Sequence, residues 1–302
     1  MVAEVAVRPF VESAGGETGV REVDHSRGRG KVRVGIIGVG RMGLAMAKHL
    51  LKHGYPLTAC DIDEKNLAQA REMGAEVAAT PAELGRAATF VILGVGYDDE
   101  VNEVVLGGSG LLQTLPASSI IAVSSTAAPD TVKALDQRAR AKGVGVLDAP
   151  ICRGRWSADA GTLLALFGGT DEVVERGRPI FATFCSDIAH LGDVGHGQVG
   201  KAMNNLLLWV NSLGLIEAGR IAESTGIDLV KLRDALMISS GKSQALEDWD
   251  QITFTWALKD MQIVSKMTDQ SGLSVPLTGA VKELVKDARR IKAKNPPKWT
   301  GK

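Results

Sequence analysis

Gly38-Val39-Gly40-Arg41-Met42-Gly43 places three glycines at the spacing G-x-G-x-x-G, and Asp61 stands 18 residues beyond the last of them. With 35 glycines in the chain the spacing alone is weak; its setting gives it meaning. The run Val32 to Ile37 reads as a buried strand, and Leu44 to His53 reads as a helix closed by Gly54 and Pro56. Between strand and helix, Gly38 permits a tight turn, Gly40 lets the backbone approach a pyrophosphate, and Gly43 lets the helix pack close to the sheet. The free N–H groups of the first helical residues, Arg41 and Met42 with Gly43, then face the anion. A carboxylate at Asp61 accepts from both ribose hydroxyls and repels a 2′-phosphate, so NAD is expected over NADP. Asp63 reads as surface or as a helix cap.

The elements that must hold this loop follow from periodicity. Strands are expected over Pro56 to Cys60, Phe90 to Leu93, Ile120 to Val123 and Val144 to Leu147, with a helix over Glu64 to Met73 and further helical material between. Strands alternating with helices mean βαβ units and a doubly wound, mainly parallel sheet. Beyond about Gly195 the pattern is helical, with a long stretch from Gln198 to Thr225 and periodicity from Leu229 to the end. The expected organisation is a tail over residues 1–30, a nucleotide-binding α/β domain over 31–195 and an all-helical domain over 196–302.

Composition narrows the function. The 302 residues carry 35 basic and 35 acidic side chains, so no basic excess points to nucleic acid. No apolar run reaches the roughly 18 residues of a membrane span. Cys60, Cys152 and Cys185 are few, odd in number and far apart, which fits a reducing, cytoplasmic compartment. No metal-ligand spacing occurs.

Three further segments accompany the glycine loop in order: Ser125-Thr126-Ala127-Ala128-Pro129, Asp148-Ala149-Pro150, and Gly195-His196-Gly197-Gln198-Val199-Gly200-Lys201-Ala202-Met203-Asn204-Asn205. With Val105 to Leu111 and the pair Lys259-Asp260, they make the chain resemble the β-hydroxyacid dehydrogenase family from about Lys31 to about Val285, in the manner of 3-hydroxyisobutyrate dehydrogenases. The resemblance implies a Rossmann domain and a helical domain joined by a long helix starting near Gly197, assembled as a homodimer or homotetramer. It implies NAD(P)-dependent interconversion of a short anionic 3-hydroxy acid and its semialdehyde. It maps the catalytic lysine to Lys201 and a substrate-holding asparagine to Asn205. At i, i+4 on a helix the two share a face. Ser125 and the loop Cys152-Arg153-Gly154 fall at substrate positions. Thr126, Lys259 and the backbone of Val95 and Gly96 fall at cofactor positions. A lysine ammonium stabilises a developing alkoxide and, once desolvated, exchanges a proton near neutrality.

The substrate loop departs from the family's Asp-Ala-Pro-Val-Ser-Gly-Gly. Cys152 stands for the serine and Arg153 for a glycine, and Val95-Gly96 replaces the usual Leu-Pro. Arg153 either grips an anionic group, as in sulfolactaldehyde reductases, or turns outward to an acid such as Asp159. Cys152 reads as a packing residue. Trp249 and Trp256 read as pocket wall or core, and the basic run from Lys282 to Lys302 as a charged helix face and tail. An imine reductase would typically lack Lys201, and a 6-phosphogluconate-type enzyme would carry His-Asn where Asn204-Asn205 stands. The reading from outside catalysis is a non-catalytic NAD-binding module.

Overall fold

The structure, a computed structural model, describes residues 32–301. The expected tail over residues 1–30 lies outside them. Six strands, β1 (Val34–Ile37), β2 (Leu57–Cys60), β3 (Glu76–Val77), β4 (Phe90–Leu93), β5 (Ile120–Val123) and β6 (Gly145–Asp148), form one sheet in the order β3-β2-β1-β4-β5-β6. Every pairing in it is parallel, with Val34 opposite both Leu57 and Phe90. Strands β1, β2, β4 and β5 are buried along their whole length, because helices cover both faces of a parallel sheet. Alternate side chains therefore enter two separate cores. Ile36 and Ile92 lie in one, and Ile37, Val91 and Leu93 in the other.

The helices between the strands are α1 (Arg41–Lys52), α2 (Glu64–Glu72), α3 (Pro81–Ala87), α4 (Asp98–Leu106) and α5 (Pro129–Arg140). Asp63 caps α2, accepting the Lys65 N–H at 2.9 Å. All expected strands of this region form, within two residues at either end. The short edge strand β3 carries too little apolar sequence to be read in advance.

A second sheet was not expected. After β6 come β7 (Ile151–Cys152), α6 (Gly154–Ala160), β8 (Leu163–Phe167), α7 (Asp171–Phe181) and β9 (Cys185–His190). Strands β7, β8 and β9 form a three-stranded mixed sheet, tied to the first by an antiparallel bridge from Asp148 to Gly168. Leu163 to Phe167 is a continuous apolar run, and such a short run does not reveal by period whether it is strand or helix. Phe167 and Phe181 pack edge to face, 4.9 Å between centroids, and extend the core of the first sheet beneath the second.

From β9 onward the described residues are helical: α8 (His196–Ser224), α9 (Leu229–Met237), α10 (Gln244–Glu247), α11 (Ala257–Ser271) and α12 (Pro276–Lys294). Their core gathers Trp209, Trp249, Phe254, Met261 and Val281. The C-terminal segment is not the charged tail that its lysines suggest. Trp299 is completely buried, and its indole N–H donates to Leu215 O at 3.1 Å. Trp249 donates to Pro297 O at 3.0 Å, so the segment closes back over α8. No helix among the described residues is long and apolar enough to cross a membrane.

Removing a buried indole leaves a cavity and strips its transfer energy. Trp299→Ala is expected to cost about 3–5 kcal/mol in urea unfolding followed by circular dichroism. A loss below about 1 kcal/mol would mean that the C-terminal segment is not part of the helical core.

Candidate active site

The glycine loop follows β1, Asp61 follows β2, Val95 and Gly96 follow β4, Ser125 and Thr126 follow β5, and Asp148 ends β6. All lie at the carboxyl edge of the sheet, where open α/β sheets bind their ligands. Helix α1 begins with no side-chain cap and no acid in its first turn, which leaves its N-terminal donors to an anion. A Cβ on Gly43 would lie 2.1 Å from Gly38 O, so only glycine lets the helix approach the loop. A Cβ on Gly40 would meet nothing within 4 Å, the open space an approaching pyrophosphate needs. Asp61 orients the loop through the Val39 N–H at 2.7 Å and the Asp63 N–H at 2.8 Å. These residues fit a dinucleotide.

The helix that carries Lys201 is seated by a buried acid. Asp148 Oδ2 accepts the N–H groups of Gly195 and Gln198, each at 3.0 Å. Burial pushes the Asp148 carboxyl up to about 7, although these backbone donors favour its charged form. Gly197 is needed here, because a Cβ would stand 2.5 Å from Leu166 O and 2.9 Å from Asp148 Oδ2. Gln198, also buried, donates to Ser125 O at 2.9 Å and accepts from the Ala127 N–H at 3.0 Å. It clips the loop after β5 to α8. The sequence offered only a polar residue at a helix start, which is no signal for such a clip.

One turn along α8, Lys201 Nζ lies 3.8 Å from Cys152 Sγ. Asn205 is buried a further turn on, beside Asp260 of α11. Asp260 accepts from the Trp209 indole at 3.0 Å and from Asn205. Burial raises the Asp260 carboxyl, while the Lys201 charge, these two hydrogen bonds and Lys259 pull it down. Lys201 thus meets Cys152, while Asp260, from another helix, bonds Asn205 and feels the Lys201 charge. Sequence reasoning noted Asp260 only as half of a Lys-Asp pair.

Lys259 reaches from α11 to the sheet. Its ammonium donates to Gly96 O and, at 2.6 Å, to Thr126 O, so it straps together the loops after β4 and β5. Burial lowers its pKa, against the nearby charges of Asp260, Asp98 and Glu100. The Tyr97 and Trp256 rings flank it, at 5.3 and 5.8 Å from their centroids. Of the two tryptophans singled out in the sequence, Trp249 is core and Trp256 stands half exposed at this edge. Ser125 is buried, with its hydroxyl turned to Leu93 O at 3.3 Å. Val95 is partly buried against the core.

Two arginines direct their side chains elsewhere. Arg153 keeps the left-handed backbone, φ 85°, that suits a glycine, at a cost of about 1–2 kcal/mol for a residue with a side chain. Its guanidinium binds Asp187 at 2.6 Å, Ser186 Oγ at 2.9 Å and Thr162 O at 3.2 Å, along the second sheet. Asp159 is not its partner; it pairs with Arg41, whose Nη1 donates at 2.8 Å. Gly154 follows with φ 73° and opens α6. Among the described residues no group of three or more His, Cys, Asp or Glu could hold a metal.

Comparison with known proteins identifies the family. Residues 33–192 match the model of the NAD binding domain of 6-phosphogluconate dehydrogenase. Residues 195–295 match the model described as NAD-binding of NADP-dependent 3-hydroxyisobutyrate dehydrogenase. The chain belongs to the β-hydroxyacid dehydrogenase family. Within that family it is 35% identical over 213 residues to 3-hydroxyisobutyrate dehydrogenase of Pseudomonas aeruginosa, covering 70% of this chain and 72% of that one. It is 32% identical over 222 residues to the mitochondrial 3-hydroxyisobutyrate dehydrogenase of Mus musculus, covering 74% of this chain. The match spans 66% of the mouse protein's length. A solved structure, Psf3 in complex with NADP+ and 2-OPP, superposes with a TM-score of 0.78 at 26% identity, covering 85% of this chain and 94% of that one.

Because the folded-state pKa of Asp148 is raised, native protein holds its proton where unfolded chain has lost it. Stability from this residue is therefore present below about pH 4 and falls as pH rises towards 7. Asp148→Asn is expected to lack that fall, so its stability relative to wild type improves between pH 4 and 7. Parallel pH profiles of urea stability would sink this assignment.

Proposed function

We propose that the protein is an NAD-dependent oxidoreductase that interconverts a short 3-hydroxy acid and its semialdehyde. The observation that carries this reading is the convergence of Lys201, Asn205 and Asp260 beside the loop Cys152-Arg153-Gly154, at the edge where the dinucleotide loop lies. Bound NAD supplies the hydride acceptor. Lys201 stabilises the developing alkoxide and passes its proton, Asn205 holds the substrate, and Asp260 positions both through charge and a hydrogen bond. Ser125, Cys152 and Gly154 line the substrate's carboxylate end. Gly38, Gly40, Arg41, Met42, Gly43 and Asp61 hold the adenosine and pyrophosphate, and Val95, Gly96, Thr126 and Lys259 border the nicotinamide. Asp61 favours NAD over NADP by repelling a 2′-phosphate.

The reading with a sulfonate or second acid group on Arg153 is weaker than the simple-acid reading. The guanidinium is already held by Asp187 and Ser186, and the residue keeps a glycine-like backbone without aiming its side chain at Lys201. A non-catalytic NAD-binding role leaves the Lys201–Asn205–Asp260 cluster without purpose. A homo-oligomer is supported by large apolar side chains left exposed on α8 and α12, among them Leu207, Ile221 and Leu277. A cytoplasmic, reducing setting is consistent with three free, buried cysteines among the described residues.

Lys201→Met is expected to lower kcat for semialdehyde reduction by about 10²–10⁴-fold, with NADH affinity by fluorescence titration unchanged. Retained turnover would remove Lys201 from the chemistry. In the same assay Arg153→Gly should keep activity on monocarboxylate semialdehydes within about threefold, since it removes a surface ion pair and relieves a left-handed residue. Selective loss on sulfonate or two-acid substrates would return Arg153 to the pocket.

A further inference from the structure

Tyr97 and Trp256 remain outside the reading above. Tyr97 precedes α4 in the loop after β4, and Trp256 precedes α11, so they come from opposite sides of the site. They meet edge to face, with centroids 6.1 Å apart, and yet stand 52% and 51% exposed. Large aromatic rings carry much apolar surface, and most of it is normally buried. Here two rings share one exposed patch. Neither ring is a loose surface side chain. Both flank the Lys259 ammonium, which is itself fastened to Gly96 O and Thr126 O, the loops that border the site.

The charges nearby decide what such a patch can take. Lys259 already fills the cation position between the rings, so a cationic ligand is repelled. An anionic group is drawn to Lys259 and Lys201 rather than to ring faces, whose quadrupole is negative. An uncharged apolar group is what remains. Thr126 links the patch to Ser125, and Lys201 lies close enough to Lys259 to lower its pKa. Through Lys259 the patch therefore borders the loops after β4 and β5, next to Ser125 at the proposed substrate position.

We infer that Tyr97 and Trp256 form an aromatic lip that receives an apolar substituent of the hydroxy acid, and so select substrates with a side chain larger than methyl. This rests on the proposed 3-hydroxy-acid reading, and binding is measured separately from turnover so that the two stand or fall apart. The probes are 3-hydroxypropanoates bearing hydrogen, methyl, propyl or benzyl at C2, titrated calorimetrically into the protein saturated with NADH, which cannot accept a hydride from them.

Affinity is expected to rise about 10–100-fold from hydrogen to propyl in wild type. The rise should largely vanish in Trp256→Ala and persist in Trp256→Phe. Because Trp256 is half exposed, these variants should melt within a few degrees of wild type. No dependence on the substituent in wild type, or the same dependence in Trp256→Ala, overturns the lip. So does a change in NAD affinity with the substituent dependence intact, which would place the rings on the cofactor. NADH formation from the same compounds reads the other proposal. A binding gradient without turnover keeps the lip and removes the dehydrogenase reaction.

Discussion

Asp148 ends β6 inside the protein, and one of its carboxylate oxygens accepts the N–H groups that open α8. That contact seats the helix carrying Lys201 and Asn205 against the sheet whose edge carries the dinucleotide loop. A helix N-terminus has unpaired donors and a positive dipole end, so an acid there is favourable. Asp148 must nevertheless give up its hydration, and the site is assembled against that penalty. The close approach leaves no room for a Cβ at residue 197, and Gln198 extends the junction by clipping the loop after β5. Lys201 can face Cys152 only because these contacts set where α8 begins.

A second junction, from α11, completes the site. Lys259 neutralises carbonyl dipoles of two loops at once, and its neighbour Asp260 lies among Trp209, Asn205 and the charge of Lys201. Consecutive residues on one helix thus serve two different walls. The aromatic pair flanks Lys259, and the partial burial of the ammonium makes its bonds to carbonyl oxygens count for more than they would in water.

In the loop after β6 a long charged side chain stands on a left-handed backbone position that suits glycine. Arg153 adopts a glycine's dihedral angles, and its long side chain crosses to β9. The strain of that conformation is offset locally by hydrogen bonds from a planar, permanently charged group. Cys152, one residue earlier, stays buried and faces Lys201 Nζ at 3.8 Å.

Short-range physics made much of this legible in advance. Parallel strands buried on both faces read as apolar runs, glycine spacing at a strand–helix turn reads as a dinucleotide loop, and α8 reads as a long helix with Lys201 and Asn205 on one face. Those features depend on residues a few positions apart, where period and sterics act directly. Only the tertiary structure decided that Leu163 to Phe167 is a strand, since its pairing partners β7 and β9 supply the hydrogen bonds. It also decided that Arg153 meets Asp187, that Asp260 meets Asn205, and that Trp299 enters the helical core despite the lysines around it. In each case the partner lies far along the chain, and the energy of the contact belongs to the packed pair rather than to either residue's own neighbourhood.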